Sequence, residues 1–156
     1  MLVKMIIKKA EFSDMKEILL LQKRAYESEA ELYNDFNIPP LTQTLNEIEE
    51  ELKNQVFLKA IENKKIIGSV RALIIYPKTC YIGRLNVHPD FQNQGIGTKL
   101  VRAIENVFKE CERFELITGH KSYRNIKLYE KLGYTIFKTE KLTENLSLVY
   151  LEKIKL

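Results

Sequence analysis

The sequence predicts an α+β fold, a mixed but mostly antiparallel central sheet of about seven strands flanked by four helices. Three observations carry that prediction. A short first strand and two stretches of helical periodicity are followed by three β-rich segments joined by very short turns, and links that short connect antiparallel neighbours. A long amphipathic segment then separates this block from another strand, which provides room for a parallel crossover. The chain closes on a short helix and two further β-rich segments. At 156 residues it is read as a single domain over residues 1–156, since domains usually run to about 100–200 residues.

The elements follow in order. MIIKKA, residues 5–10, reads as the first strand. Residues 12–30, FSDMKEILLLQKRAYESEA, form a helix: Asp14 and Glu17 stand at capping-box spacing, and Ile18, Leu21 and Ala25 recur at helical intervals. Pro39 and Pro40 break it, because proline cannot continue a helix. A second helix lies in residues 41–55, with Thr44 and Glu47 as its capping-box pair ahead of Ile48 and Leu52, and it ends near Asn54. VFLKAIE, KIIGSVRALIIYP and TCYIGRLNVH are strands rich in β-branched and aromatic residues. Residues 95–112 make the clearest amphipathic helix, with Ile96, Leu100, Ile104 and Val107 plus Phe108 in one stripe. FELITG is a strand, and SYRNIKLYEKL is a helix stopped by Gly133 in the C′ position. YTIFKTE and LSLVYLEKI form the final strand pair.

Composition narrows the class. The chain is 45% hydrophobic and 29% charged, a globular balance. Its apolar runs fall far short of the roughly 20 residues of a membrane span, and MLVKMIIKK lacks a secretory cleavage pattern. A cytoplasmic location without membrane association is therefore expected. Cys80 and Cys111 read as buried thiols in a reducing compartment, neither a disulfide framework nor a metal site, and no metal is expected. Residues 1–55 carry 7 Lys and Arg against 11 Asp and Glu, whereas residues 56–156 carry 18 against 10. If the asymmetry has a use, an anion belongs on the second half and a cation on the first. The basic residues of the second half are scattered without interleaved aromatics, so no nucleic-acid partner is expected.

The segment FQNQGIGTKL, residues 91–100, joins a hydrophobic strand to the amphipathic helix. Free backbone N–H groups at such a helix start make an anion site, and Gly95 and Gly97 let backbone approach a ligand. Each hydrogen bond to a charged group contributes about 1.5–3 kcal/mol against roughly 0.3–1 kcal/mol for the helix dipole, so several amides outweigh the dipole. A Walker A loop would end Gly-Lys-Ser/Thr, but the turn reads Gly97-Thr98-Lys99. A dinucleotide fingerprint would place a third glycine where Leu100 stands.

YIGRLNVHPDFQNQGIGTKLVRAIE followed by ELITGHKSYRNIKLYEKLGYTIF resembles the GNAT superfamily of acetyl-CoA-dependent N-acetyltransferases. The resemblance follows the whole order of elements and is strongest over residues 80–137. It implies a GNAT-like fold, acetyl-CoA as cosubstrate and acetyl transfer to a primary amine through a tetrahedral intermediate. It places Gln92, Asn93, Gln94, Gly95, Ile96, Gly97 and Thr98 at the CoA pyrophosphate, and Leu85, Asn86 and Val87 along pantetheine. It also implies that Asn125 and Tyr129 lie near the thioester, with Tyr129 catalytic and a backbone N–H near Val87 as oxyanion donor. Asn125 and Tyr129 are spaced to share one helix face. With a thiol near 8.5 and a tyrosine near 10, full proton transfer from Tyr129 runs uphill by about 2 kcal/mol, so it is expected to hydrogen-bond the sulfur.

The base is not assigned by the pattern. Many relatives carry a carboxylate on the strand beside pantetheine, whereas Arg84 and Asn86 occupy that stretch here. His120 and Glu31 remain candidates, and His88 is assigned to the His-Pro turn. Family likeness makes the first helices the wall of the acceptor site. Glu27, Glu29, Glu31 and Asp35 beside Tyr26, Tyr33 and Phe36 then favour a cationic amine such as a polyamine, an aminoglycoside-like compound or a peptide lysine. The same acidic residues are also compatible with a soluble surface loop. The missing base leaves a second class open, a non-catalytic acyl-CoA sensor or partner-binding module. Relatives often dimerise, and NLSLVYLEKI is a candidate edge strand for a homodimer.

Overall fold

A computed structural model describes residues 5–155. In chain order its elements are β1 (Ile6–Lys9), α1 (Met15–Tyr33), α2 (Pro39–Thr42), α3 (Leu45–Leu52), β2 (Val56–Glu62), β3 (Lys65–Tyr76), β4 (Thr79–Val87), α4 (Ile96–Val107), β5 (Arg113–Gly119), α5 (Tyr123–Lys131), β6 (Thr135–Lys141) and β7 (Ser147–Ile154). Among the described residues the strands form one seven-stranded sheet in the order β1-β2-β3-β4-β5-β7-β6. All pairs are antiparallel except β4 with β5. The sheet is the mixed α+β arrangement that the sequence predicts.

The meander has the turns its sequence implies. Glu62 pairs with Lys65 across Asn63 and Lys64, both at positive φ, and Tyr76 pairs with Thr79 across Pro77 and Lys78. Phe57 and Leu58, neighbours on β2, belong to different core clusters. Successive strand residues face opposite ways, so the sheet is covered on both faces. α4 supplies one layer through Leu100, Val101 and Ile104, all fully buried, each burial stabilising by about 1.5–3 kcal/mol. α1 and α3 supply the other through Met15, Ile18 and Ile48 with Phe57.

Several local expectations need correction. Asp14 and Glu17 do not form a capping box. Asp14 instead closes one with Glu11 and binds Lys59 at 2.6 Å, while Glu17 accepts the Ile66 N–H at 2.9 Å. Both residues serve tertiary contacts that spacing alone does not reveal. Pro39 and Pro40 end nothing by themselves: α1 stops at Tyr33 with Asn34 in the left-handed region, and the prolines open the short α2, where the first-turn N–H groups have no ladder partner to lose. On α4, Val107 is exposed and Val101 takes its place in the buried stripe. β7 pairs with β5 on one side and β6 on the other, so NLSLVYLEKI is interior and offers no free edge. The Thr44–Glu47 box on α3 forms as spaced, with bonds of 3.2 and 2.8 Å.

Two features place the site. β4 and β5 pair only from Thr79 against Arg113 to Ile82 against Leu116. Beyond that point the two strands separate, because β4 carries an extra residue: Ser69 faces Asn86 but Arg71 faces Gly83, and Arg84 sits in the bulge at φ 52°. Bulges bend the strand that carries them. The second feature is Arg71, only 3% exposed on β3. Its guanidinium donates to Gln22 Oε1 and Gln43 Oε1 at 3.0 Å each and pairs with Glu51 at 3.0 Å, which ties α1, α3 and their connection to the sheet beside the gap.

Candidate active site

The strand gap continues into a cleft of about 710 Å³ at the carboxyl ends of β4 and β5. Its walls come from the second half of α1, the end of β4, the turn before α4 and the start of α5. At the head of α4 the first ladder bond runs from Lys99 N–H to the Gly95 carbonyl at 3.1 Å. The N–H groups of residues 92–98 have no protein acceptor among the described residues. Gly95 lies at φ 79°, which disfavours an L side chain, and Asn93 at φ 63°. Gly97 has a different reason: a Cβ there would stand 3.3 Å from the Leu128 side chain, so its absence lets α4 pack closely on α5. His88 Nδ1 accepts the Asp90 N–H at 3.1 Å and caps the turn, as its place before Pro89 predicts.

Of the residues assigned by pattern, Leu85, Asn86, Val87, Gln92, Asn93, Gly95, Ile96, Gly97, Thr98 and Asn125 line this cleft. Gln94 is exposed at the turn and outside the lining. Tyr129 is buried one helical turn beyond Asn125, behind the lining and 6.1 Å from the Tyr134 ring. Burial raises its phenol above the ordinary value, and the neighbouring Tyr26 and Tyr81 phenols and Glu29 raise it further. On the facing wall Tyr26 Oη donates to the Leu85 carbonyl at 3.1 Å. Burial pushes that phenol up to about 12, so it remains a donor at neutral pH. Asn86 donates to Ser69 Oγ at 3.0 Å and to the Arg84 carbonyl at 2.8 Å, which leaves its buried Oδ1 without a protein partner.

The charge asymmetry of the sequence reappears across the cleft. Lys121 and Arg124 stand on the α5 side and Glu29 and Glu31 on the α1 side. Arg124 also donates to Gln92, which links α5 to the glycine turn. Glu27 and Asp35 lie outside the lining, so the acidic wall is narrower than the run of acidic residues suggested. His120 does not line the cleft, and its Nδ1 accepts the Ser147 N–H at 2.9 Å. The pattern missed Ser122, 3% exposed, which donates to Glu29 Oε2 at 2.5 Å and contacts Tyr33 Oη at 3.0 Å. A signal for this wall was present: Tyr26, Glu29 and Tyr33 are three and four residues apart and share one helix face.

A glycine turn heading a helix beside two parallel strands that splay apart defines this class of site. Residues 13–134 match the acetyltransferase (GNAT) family, and the chain belongs to that family. It is 30% identical over 136 residues to UPF0157 protein YqkA of Bacillus subtilis (strain 168), an overlap of 85% of this chain and 38% of the relative's length. Its fold matches the GNAT-family acetyltransferase of Streptococcus pneumoniae with a TM-score of 0.76, 21% identity and coverage of 97% and 99% of the two chains. It also matches the PaiA N-acetyltransferase of Thermoplasma acidophilum, whose structure is a complex with coenzyme A, with a TM-score of 0.71, 20% identity and coverage of 97% and 99%. Among the described residues no helix is long and apolar enough to cross a membrane.

Proposed function

We propose that the cleft binds acetyl-CoA and that the protein transfers the acetyl group to a primary amine, with a cationic small molecule or peptide amine as the favoured acceptor class. The observation that supports this best is the row of acceptor-free N–H groups at residues 92–98, aimed where a pyrophosphate would be gripped. Lys121 and Arg124 add positive charge on that side. The free edge of β4 at Leu85, Asn86 and Val87 would pair with pantetheine amides, and a strand N–H would serve the tetrahedral oxyanion. Asn125 and Tyr129 would lie along the thioester, with Tyr129 donating a hydrogen bond to the departing sulfur.

For the acceptor, Glu29 and Glu31 make the α1 wall anionic, and Tyr26 supplies an aromatic face. A lysine-like amine of pKa about 10.4 needs about 4.6 kcal/mol to lose its proton at pH 7, against about 1.4 kcal/mol for an α-amine near 8. The lysine-like class therefore gains most from a nearby carboxylate. Calorimetry with acetyl-CoA, followed by turnover with spermidine, an aminoglycoside, a lysine-bearing peptide and glutamate, tests both halves. Micromolar or tighter binding and preference for the cationic amines are expected, whereas exclusive use of glutamate would overturn the acceptor class. Binding without turnover of any amine would leave a module that only senses acyl-CoA, the reading that the lack of a carboxylate on β4 favours.

A further inference from the structure

Acetyl transfer leaves one proton to be placed. The nitrogen that bonds to the acetyl carbon must shed it, and β4 offers no carboxylate to receive it. Among the described residues the carboxylates that line the cleft are Glu29 and Glu31, and their surroundings differ. Glu31 is exposed, and its side chain has no hydrogen-bond partner among the described residues. Glu29 is half-buried on the α1 face that also carries Tyr26 and Tyr33, and it terminates a chain of donors. Lys121 N–H donates to Tyr33 Oη at 2.9 Å, Tyr33 Oη lies 3.0 Å from Ser122 Oγ, and Ser122 Oγ donates to Glu29 Oε2 at 2.5 Å. With the Ser122 proton on Glu29, Tyr33 must donate to Ser122, so every bond in the chain points toward the carboxylate. Bonds aligned this way hold the carboxylate in one orientation. They fix one oxygen and leave Oε1 without a protein partner among the described residues.

Resting on the acetyl-transfer reading above, we infer that Glu29 is the general base of the reaction, supplied by α1 in place of a residue on β4. The acceptor nitrogen attacks the thioester carbonyl carbon, a C–N bond forms, and the carbonyl pair moves to oxygen. Bonded to that carbon, the nitrogen becomes far more acidic and passes its proton to Glu29 Oε1. Collapse restores the carbonyl and breaks the C–S bond, and the thiolate leaves with the sulfur–carbon electron pair and takes a proton from water. Glu29 then returns its own proton to solvent, so atoms and charge balance without another reactant. Before attack the same carboxylate attracts the cationic amine, which gives up its extra proton to solvent so that the nitrogen attacks as the neutral amine with a free lone pair. Glu29 lines the same cleft as Asn125, the residue that the acetyl-transfer reading sets along the thioester.

The wild-type chain, Glu29→Gln, Glu29→Ala and a Glu27→Gln control are compared with acetyl-CoA and the fastest amine of the panel. General-base loss should lower kcat of Glu29→Gln by about 100-fold, with KM and calorimetric affinity for acetyl-CoA unchanged. Added formate should restore about tenfold of the lost rate to Glu29→Ala, because a small carboxylate can occupy the vacated space, and should leave wild type and Glu27→Gln unaffected. A merely structural carboxylate would give no rescue and would weaken acetyl-CoA binding. That outcome, or a Glu29→Gln rate equal to wild type, overturns the inference. Absence of turnover by the wild type with every amine overturns the acetyl-transfer reading itself, which separates the two failures.

Discussion

Tyr129 illustrates how one side chain's environment restricts its chemistry. Burial, then the phenols of Tyr26 and Tyr81, hold its proton more tightly than in a free tyrosine. On the proposed reading, transfer to a thiolate of ordinary pKa near 8.5 is then uphill by more than about 2 kcal/mol, which would leave a hydrogen bond to the sulfur as its contribution. A hydrogen bond to a charged sulfur is worth about 1.5–3 kcal/mol, so Tyr129→Phe should lower kcat roughly 10- to 100-fold. KM for acetyl-CoA should stay constant in steady-state kinetics; a parallel rise in KM would place the hydroxyl in ground-state binding instead. Gly95 gives a backbone counterpart. A Cβ there meets nothing within 4 Å, so any cost of Gly95→Ala comes from φ 79°, about 1–2 kcal/mol for an L residue in the left-handed region. The loop would relax away from that angle and misalign its amides. About tenfold weaker acetyl-CoA binding by calorimetry is expected, with unaltered far-UV circular dichroism.

At the scale of elements, Arg71 decides where the α1 wall stands. Burial lowers its basicity to about 10, with the Glu51 charge opposing that fall, and it remains charged at neutral pH. Its partners Gln22, Gln43 and Glu51 come from three separate places in the chain. Arg71→Met would leave Glu51 and both amide oxygens without their cation, and breaking a buried pair this way costs about 3–5 kcal/mol. The urea midpoint should fall accordingly, and double substitution with Glu51→Met should recover part of the loss. This network also marks what the sequence could not reveal. The strands of the meander, the Thr44–Glu47 box and the glycine turn are local patterns, and each is found where its spacing puts it. Asp14, Glu17, Gln22 and Arg71 are polar residues whose partners lie far along the chain, so no local period identifies them. Ser122 was hidden in the same way, although the Tyr26–Glu29–Tyr33 face it joins was readable. β7 was misplaced because strand order in a sheet depends on crossovers, not on the strand's own residues.

For the molecule as a whole, the cleft exists because one sheet opens between β4 and β5 and α1 spans the opening, so what anchors α1 also maintains the site. The N-terminal anchor is Asp14, which accepts from Lys59 Nζ at 2.6 Å and from the Glu11 N–H at 2.7 Å. Burial alone would raise the Asp14 carboxyl, but the Lys59 hydrogen bond, the Glu11 N–H and the charges of Lys59 and Lys8 outweigh it and hold the group below its ordinary 3.8. A carboxylate with a lowered folded-state value contributes stability above its unfolded value and loses that contribution as pH falls through the folded one. The Asp14 contribution is therefore complete from neutral pH down to about 5 and drains away in more acidic solution. Asp14→Asn, unable to ionise, lacks it throughout. Urea midpoints measured from pH 7 to pH 2.5 should show wild type more stable than Asp14→Asn by a constant margin above about pH 5, with the two curves converging as the pH falls below 3.8. A margin that persists unchanged into strong acid would mean that the side chain acts through its neutral hydrogen bonds, and that the charge on Lys59 contributes nothing to holding α1 over the cleft.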